Sequence, residues 1–237
     1  MAVFHSVSAF CNAGFDLMGN QTGQYSSLTS FAGSGYVTLV ICLLIMIGGI
    51  GFLTWKDIAV KKTRFKEYSM QTKVILVTTA ILIVIPAVFF FFSDFANEPL
   101  KDRICMSVFQ AVTPRTAAGR SVMMLLMLIG GSPGSTAGGM KTTTIAVLFA
   151  NAIAVFRKRQ NANCYGRRID DSTVKNASAI LFMYVFFSML SAIIISITDG
   201  ISMQMGMFET FSAIGTVGLT LGITPTLSAV SRFVLIL

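Results

Sequence analysis

The chain has 237 residues, of which 54% are apolar and only 12% are charged. Soluble domains carry about 25% charged residues, so this composition excludes an ordinary soluble domain and indicates an integral membrane protein. The net charge of +8 is concentrated in two connectors, a pattern that predicts a topology signal rather than binding to nucleic acid.

A short motif recurs along the chain and marks repeated units. It reads F-H-S-V-S-A-F-C-N-A-G over residues 4–14 and F-E-T-F-S-A-I-G-T-V-G over residues 208–218, and a more divergent copy, F-Q-A-V-T-P-R-T-A-A-G, covers residues 109–119. The copies at 109–119 and 208–218 each follow a long apolar stretch. We therefore predict units that pair a membrane span with a shorter half-span ending in glycine.

These units can be laid out in chain order. We place the three units at residues 1–56, 72–156 and 173–237. The predicted spans cover residues 34–54, 72–92 and 174–197, with an interrupted span at 122–156 and the start of another near residue 226. The predicted half-helices end near residues 10, 112 and 213, and each leads into a loop. A polar outer segment is predicted at residues 19–30.

Two connectors hold twelve of the 18 basic residues and predict the orientation of the chain. The first contains Lys56, Lys61, Lys62, Arg64, Lys66 and Lys73, and the second contains Arg157, Lys158, Arg159, Arg167, Arg168 and Lys175. By the positive-inside rule both face the cytoplasm, so residues 104–119 must form a re-entrant loop at the outer face. Basic clusters of this kind also suit anionic lipid or a cytosolic partner.

The glycine that closes each motif suits a cation-binding loop. Irregular backbone is tolerated at membrane depth only where it is buried in protein or lines a water-filled cavity. Glycine permits the positive φ values that turn successive carbonyls inward, and the C-terminal ends of half-helices are partially negative. Such carbonyls can replace an ion's hydration shell. The alternative is that Gly14 and Gly218 only allow close helix packing, as small residues often do in membranes.

Residues 130–139 contain five glycines and a proline, which interrupt the span at 122–156. A break of this composition is expected to lie inside the protein rather than against lipid. The hydroxyls of Ser132, Ser135 and Thr136 could replace the lost backbone hydrogen bonds or line a pore, and the sequence does not separate these roles. Lys141 lies either near an inner pore mouth or at the membrane interface as an anchor.

Three segments resemble the Trk/Ktr/HKT superfamily of potassium transporters, in particular its Ktr membrane subunits. They read S-A-F-C-N-A-G-F-D at residues 8–16, G-T-V-G-L-T at residues 215–220, and I-G-G-S-P-G-S-T-A-G-G-M-K-T at residues 129–142. The resemblance implies an all-α membrane protein built from potassium-channel-like units, each with an outer helix, a pore helix, a filter loop and an inner helix. About two and a half of four such units are expected in this chain.

The resemblance also assigns roles to residues. The implied K⁺-binding filter residues are Asn12, Ala13, Gly14, Thr113, Thr116, Gly119, Gly215, Thr216, Val217 and Gly218. The implied intramembrane gate loop contains Gly130, Gly131, Ser132, Gly134, Ser135, Thr136, Gly138, Gly139 and Lys141. The expected function is potassium uptake across the plasma (inner) membrane by a multi-pass protein. The expected partners are a second copy of the chain and a cytosolic nucleotide-binding regulatory subunit, with no bound cofactor.

Two other classes of function stay open, while an enzyme is not expected. One is a cation symporter that couples to Na⁺ or conducts it, since symporters also use broken helices and internal repeats. The other is a membrane scaffold that transports nothing. An enzyme is disfavoured because no metal-ligand cluster and no nucleophile–base pair is recognisable in the sequence.

The middle unit is expected to be shortened. Residues 43–49 align with residues 125–131 at an offset of 82, whereas Gly14 and Gly119 are offset by 105. The unit at 72–156 is therefore 23 residues shorter than the first unit predicts. We expect the loss in the outer segment near Gly119.

Overall fold

The described part of the chain is mostly α-helical. The computed structural model describes residues 1–237 apart from 16, 20–30, 32–33, 94, 113–119, 160 and 237, and only the backbone of residues 120–122. The helices are α1 Ala2–Phe10, α2 Gly35–Ile50, α3 Phe52–Lys61, α4 Met70–Phe92, α5 Leu100–Val112, α6 Arg120–Leu128, α7 Thr142–Phe156, α8 Asp171–Asp199, α9 Met203–Ile214 and α10 Ala229–Ile236. Short 3-10 turns lie at Phe65–Glu67 and Thr224–Thr226. Most of the predicted outer segment at 19–30 lies outside the described residues.

Among the described residues, two helices are long and apolar enough to cross a bilayer unaided. They are α4, with 23 residues, and α8, with 29. At 1.5 Å per residue these helices are about 35 and 44 Å long, enough for a hydrocarbon core of about 30 Å. The stretches predicted as spans at 72–92 and 174–197 each form one helix. Helix α4 begins two residues earlier and ends at the predicted residue, and α8 begins three residues earlier and ends two residues later.

The predicted single span at 34–54 is wrong at its C-terminal end. Helix α2 ends at Ile50, and α3 leaves it at an angle of 96°. The bend occurs at Gly51, whose φ is +94°, a value that side chains other than glycine rarely adopt. A Cβ atom on Gly51 would lie 2.7 Å from the carbonyl oxygen of Pro133, and the Phe52 amide donates to the Gly134 carbonyl oxygen. The helix turns here because another part of the chain occupies its path.

The half-helices and the interrupted span agree with the sequence prediction. Helices α1, α5 and α9 end at Phe10, Val112 and Ile214, within a residue of the predicted ends. The span at 122–156 is divided into α6 and α7, with an irregular segment over 129–141 between them. The limits of the three units as domains stay a prediction.

Two of the three half-helices pack against the long helix that precedes them. Helix α5 lies on α4, and α9 lies on α8. Each of the two also contacts a helix of the preceding unit, α5 with α2 and α9 with α6, while α1 packs on α2.

One buried apolar cluster supports the C-terminal half of α9. It joins α4, α6, the 129–141 segment and α9 through Phe90, Met123, Met124, Met127, Leu128, Met140, Phe208 and Phe211. Val217 and Leu219, which follow α9, pack against the cluster. The four methionines adapt their shape to an irregular gap, as this flexible side chain does in many cores. The cluster therefore fixes α9 and the start of the following loop against α6.

The second basic connector contains a hairpin that the sequence analysis did not predict. Strand β1, Asn163–Cys164, pairs in antiparallel register with β2, Arg167–Arg168. The two turn residues, Tyr165 and Gly166, both have positive φ, as a two-residue hairpin turn of type I′ requires. The hairpin holds the paired arginines at the surface.

The contact between α1 and α2 gives a direct test of this packing. A Cβ atom on Gly48 would lie 1.9 Å from the Phe10 carbonyl oxygen, whereas no described atom lies within 4 Å of the same position on Gly49. We predict that Gly48→Ala lowers the melting temperature of the detergent-purified protein, with a cost of about 1–3 kcal/mol from overpacking. Gly49→Ala is the matched control and should leave the melting temperature unchanged or raise it. Equal melting temperatures for the two variants would contradict the described contact.

Candidate functional site

Two loops, at residues 11–14 and 215–218, share one backbone conformation. We call them the first and second ion loops, because they contain predicted filter residues. Their first residues, Cys11 and Gly215, both have φ of −75° with ψ near zero. The second and fourth residues of each loop have positive φ: Asn12 at 53° and Gly14 at 73° in one, Thr216 at 53° and Gly218 at 77° in the other. The third residues do not. The motif copies at 4–14 and 208–218 thus lead into loops of the same shape.

The hydrogen bonds that shape these loops also match. The amide of Ala13 donates to Ser8 O, and the amide of Val217 donates to Ser212 O, both at 2.9 Å. The two preceding amides in each loop bond back to the end of α1 or α9 in the same pattern. Each half-helix therefore continues directly into its loop, and the loop inherits its direction from the helix.

Alternating φ values have a chemical consequence. When residues of positive and negative φ alternate, successive carbonyl groups can lie on one side of the chain. Such a row of carbonyl oxygens can replace the hydration shell of a cation. The loops follow the C-terminal ends of α1 and α9, where the helix dipole is partially negative. Both features favour a positive ion over an anion.

The two loops approach each other reciprocally. A Cβ atom on Gly14 would lie 3.0 Å from the carbonyl oxygen of Val217, and one on Gly218 would lie 3.7 Å from the carbonyl oxygen of Ala13. Each final glycine thus faces the residue that precedes the final glycine of the other loop. The predicted filter residues of these two loops are brought together.

The third predicted filter loop lies outside the described residues. It comprises 113–119, which includes Thr113, Thr116 and Gly119. Helix α5 ends immediately before this loop and α6 begins immediately after it. Helix α6 has nine residues, about 14 Å, which is less than half the thickness of a membrane. The shortening of the middle unit, expected near Gly119, stays a prediction.

The segment between α6 and α7, residues 129–141, forms a closed loop. Its neck is held by the amide of Gly130, which donates to Met140 O at 2.8 Å, and by the amide of Gly131, which donates to Gly138 O at 3.3 Å. A Cβ atom on Gly130 would lie 1.8 Å from Gly138 O, so the two sides of the neck approach more closely than side chains allow. We call residues 129–141 the glycine loop.

The glycine loop contacts the end of α1 through Thr136. The Thr136 hydroxyl donates to the Phe10 carbonyl oxygen at 3.0 Å and accepts from Asn12 Nδ2 at 2.9 Å. Phe10 is the last residue of α1, so its carbonyl has no partner within the helix. The Thr136 hydroxyl is the nearer of its two side-chain donors, the other being Asn12 Nδ2 at 3.4 Å. The same hydroxyl also holds the Asn12 side chain, which belongs to a predicted filter residue.

The same loop is anchored to α2 by backbone hydrogen bonds. The amide of Ser132 donates to Gly49 O at 3.0 Å, and the amide of Thr136 donates to Gly48 O at 3.3 Å. The sequence analysis aligned these two glycines with Gly130 and Gly131 but assigned them no role. That alignment was the available signal, because paired glycines within an apolar span indicate close backbone contact.

On its other side the glycine loop contacts the start of the second ion loop. A Cβ atom on Gly138 would lie 1.7 Å from Thr216 Oγ1, and one on Gly139 would lie 3.1 Å from Gly215 O. Glycine at these positions allows the loop to lie directly against residues 215–216. The glycine loop thus touches both described ion loops at their helix ends.

The hydroxyl and lysine side chains of the glycine loop have partners in the protein. Ser132 is fully buried and its hydroxyl accepts from Thr142 Oγ1 at 3.3 Å. Ser135 donates to Ala137 O at 3.5 Å. The ammonium group of Lys141 donates to the same carbonyl oxygen at 2.8 Å. These groups hold the loop's own conformation in this structure, together with Gly134, whose φ is +71°.

A cavity of about 510 Å³ lies where these parts meet. It is lined by both ion loops and by the glycine loop, including Asn12, Gly14, Gly138, Gly215, Thr216 and Val217. No described lining residue carries a carboxylate, and the described residues contain no cluster of His, Cys, Asp and Glu that could hold a metal ion. A cation in this cavity would meet neutral oxygen atoms, which suits a monovalent ion that must also leave.

Comparison with known proteins identifies the family. The model of a family described as TrkH, cation transport protein, matches residues 1–237. Two similar proteins are the potassium/sodium uptake protein NtpJ of Enterococcus hirae and the Ktr system potassium uptake protein B of Bacillus subtilis, each 36% identical over 99% of this chain and 55% of its own length. The chain spans about half the length of the curated relatives it matches.

A solved structure shows the same fold. The crystal structure of the potassium transporter TrkH from Vibrio parahaemolyticus matches with a TM-score of 0.73 over 99% of this chain and 54% of that protein. The two sequences are 16% identical, so this likeness supports the fold alone. The family model, in contrast, matches every residue of the chain. The chain belongs to the TrkH family of cation transport proteins.

Proposed function

We propose that this chain forms part of a potassium uptake protein in which residues 11–14 and 215–218 contribute strands of the ion filter. The observation that carries the proposal is the shared conformation of these loops, with positive φ at the second and fourth residues of each. Carbonyl oxygens in such loops bind a dehydrated monovalent cation, and the C-terminal ends of α1 and α9 favour its charge. Similar proteins named for potassium uptake support K⁺ as the ion.

The glycine loop is proposed as the gate. It contacts the ends of both ion loops and lines the same cavity, so an ion that leaves the filter meets this loop next. Its link to Phe10 and Asn12 depends on one hydroxyl, and a contact of that kind can break and re-form. In this mechanism the K⁺ gradient drives uptake and the position of the loop controls the rate.

Sodium is the second candidate ion. One relative is named a potassium/sodium uptake protein, so coupling to Na⁺ or conduction of Na⁺ is the alternative mechanism. A passive path predicts that K⁺ flux follows the K⁺ gradient alone. A symporter predicts that K⁺ uptake rises with an imposed Na⁺ gradient, and a non-transporting scaffold predicts no flux.

The proposed setting is the plasma (inner) membrane, crossed several times, with the basic connectors in the cytoplasm. We propose a homodimer and a cytosolic nucleotide-binding regulatory subunit as partners, as the resemblance to Ktr membrane subunits implies. The Ktr system named for one relative supports a multi-component assembly. The exposed β1–β2 hairpin, with Arg167 and Arg168, offers a charged surface on that side for the regulatory partner.

The filter is tested by glycine substitution. Gly218→Ala forces a side chain into φ of +77°, and Gly200→Ala imposes a similar strain at φ of +65° beyond the end of α8. We predict that Gly218→Ala abolishes growth of a potassium-uptake-deficient bacterium at low K⁺, whereas Gly200→Ala supports it. Each variant is tested in two forms: the chain by itself, and the chain fused to the part of the Bacillus subtilis Ktr system potassium uptake protein B that it does not cover. The amounts of protein in the membrane are matched by blotting.

Two results of this growth experiment would contradict the filter. One is equal growth of the two glycine variants, since the loop conformation would then be irrelevant to uptake. The other is the absence of growth with either form of the unsubstituted chain, which would favour the scaffold.

The gate is tested at Thr136. Thr136→Val keeps the shape of the side chain but removes its hydrogen bonds to Phe10 and Asn12. We predict that rubidium uptake into proteoliposomes rises about 5–150-fold, because each of the two lost hydrogen bonds weakens the closed position by about 0.5–1.5 kcal/mol. Ser178→Ala is the control, because the exposed Ser178 hydroxyl donates to Val174 O within α8, outside the glycine loop, and it should leave uptake unchanged. Slower or unchanged uptake in Thr136→Val would exclude this contact as the closing latch.

A further inference from the structure

The second residue of each motif copy is polar and buried. These residues are His5, Gln110 and Glu209, with exposed fractions of 8%, 3% and 4%. Buried polar side chains are costly in a membrane protein unless they are hydrogen-bonded. None of the three belongs to the proposed filter or gate, so their recurrence at one motif position calls for a separate role.

Glu209 binds the segment that follows the second ion loop. Its Oε1 accepts from the amide of Leu221 at 2.9 Å and from the hydroxyl of Thr220 at 2.8 Å. Its Oε2 accepts from the hydroxyl of Thr224 at 2.7 Å. The Thr220 hydroxyl in turn accepts from the amide of Gly222. One carboxylate on α9 thus holds the chain over residues 220–224.

His5 makes the corresponding contact after the first ion loop. Its Nε2 accepts from the amide of Leu17 at 3.4 Å, and its Nδ1 lies 3.0 Å from the Met1 carbonyl oxygen. A carbonyl oxygen only accepts, so Nδ1 carries the hydrogen and Nε2 is the acceptor. The neutral imidazole is therefore in the tautomer that binds Leu17.

The two contacts occupy equivalent positions. Leu17 and Leu221 each lie three residues beyond the last glycine of their ion loop, and His5 and Glu209 each lie nine residues before it. Equivalent amides are thus bound by the residue at the same motif position, which is a histidine in one copy and a glutamate in the other. In the third copy Gln110 Nε2 lies 3.9 Å from Met123 Sδ, and the loop that follows is outside the described residues.

We propose that His5 and Glu209 are positioning residues that set the ion preference of the filter, each by holding the backbone amide three residues beyond its ion loop. This inference rests on the proposed function of those loops. The half-helix fixes the first end of each loop, and the clamp fixes the far end. Carbonyl spacing between two fixed ends cannot relax freely around a smaller ion, so K⁺ is favoured over Na⁺. Contacts to a carboxylate are stronger than those to a neutral ring, so Glu209 is the firmer clamp.

The clamps themselves are tested by hydrogen–deuterium exchange on the purified protein. Glu209→Met removes the acceptors while keeping a long apolar side chain, and we expect exchange at Leu221 to quicken about tenfold while Leu17 is unchanged. His5→Leu should quicken exchange at Leu17 and leave exchange at Leu221 unchanged. Thr224→Val removes only one donor to Glu209 and gives a milder variant should Glu209→Met fail to fold. Unchanged exchange at Leu17 and Leu221 in all three variants would overturn the proposal.

The consequence for ion preference is tested by flux. Glu209→Met should reduce the ratio of K⁺ to Na⁺ uptake in proteoliposomes about tenfold at equal protein level, and Glu209→Gln, which keeps an acceptor oxygen, should largely restore it. Gln204→Leu makes a similar change at an exposed position of α9 and should leave the ratio unaltered.

The outcomes of the two measurements are separable. A loss of total flux with an unchanged ion ratio would make Glu209 a merely structural residue and overturn its role in ion preference. If the unsubstituted protein carried no flux at all, the proposed function would fail, and the exchange data would still decide whether the clamps exist.

Discussion

Unpaired backbone groups are the constraint on which this structure depends. A chain that breaks its helices at membrane depth leaves amides and carbonyls without helical partners, and each must find one inside the protein. Here the glycine loop and the ends of the neighbouring helices provide hydrogen-bond partners for one another. Amides of the glycine loop bind carbonyls of Gly48 and Gly49, and the carbonyl that ends α1 binds the Thr136 hydroxyl. Glycines at 48 and 138 make this possible, because a Cβ atom at either position would lie within 2 Å of another part of the chain.

The same constraint explains how the two ion loops are held in place. Each ion loop begins as the continuation of a half-helix, with amides bonded back to the preceding turn. The apolar cluster behind α9 then fixes that helix against α6. Local shape comes from the sequence of the loop, and its placement comes from packing on elements far away in the chain.

Hydropathy and internal repetition were enough to predict most of the helices. Apolar stretches at 72–92 and 174–197 are long, and nothing interrupts them, so local composition decides their structure. The motif copies predicted the half-helix ends and the glycines with positive φ. The bend at Gly51 was missed because it depends on contact with Pro133 and Gly134, more than 80 residues away. A local sequence pattern does not predict a contact between residues so far apart in the chain.

The roles of Glu209 and His5 were missed for a different reason. Their residue types differ, so the motif comparison registered them as mismatches between copies. What the copies share is a hydrogen-bond acceptor, a property that identity counts do not register. The β1–β2 hairpin escaped because its strands have two residues each, too few for any alternating pattern to be visible.

The position of Thr136 has a thermodynamic consequence for an ion at the site. Its hydroxyl occupies the Phe10 carbonyl oxygen, an acceptor at the partially negative end of α1. Moving the loop away exposes that oxygen, and a cation nearby can then take the place of the hydroxyl. An ion that interacts better with the exposed carbonyl than with the covered one shifts the equilibrium toward the open loop. Under the proposed mechanism, occupancy and opening are therefore linked, and the permeating ion acts as a ligand of the conformation that lets it pass.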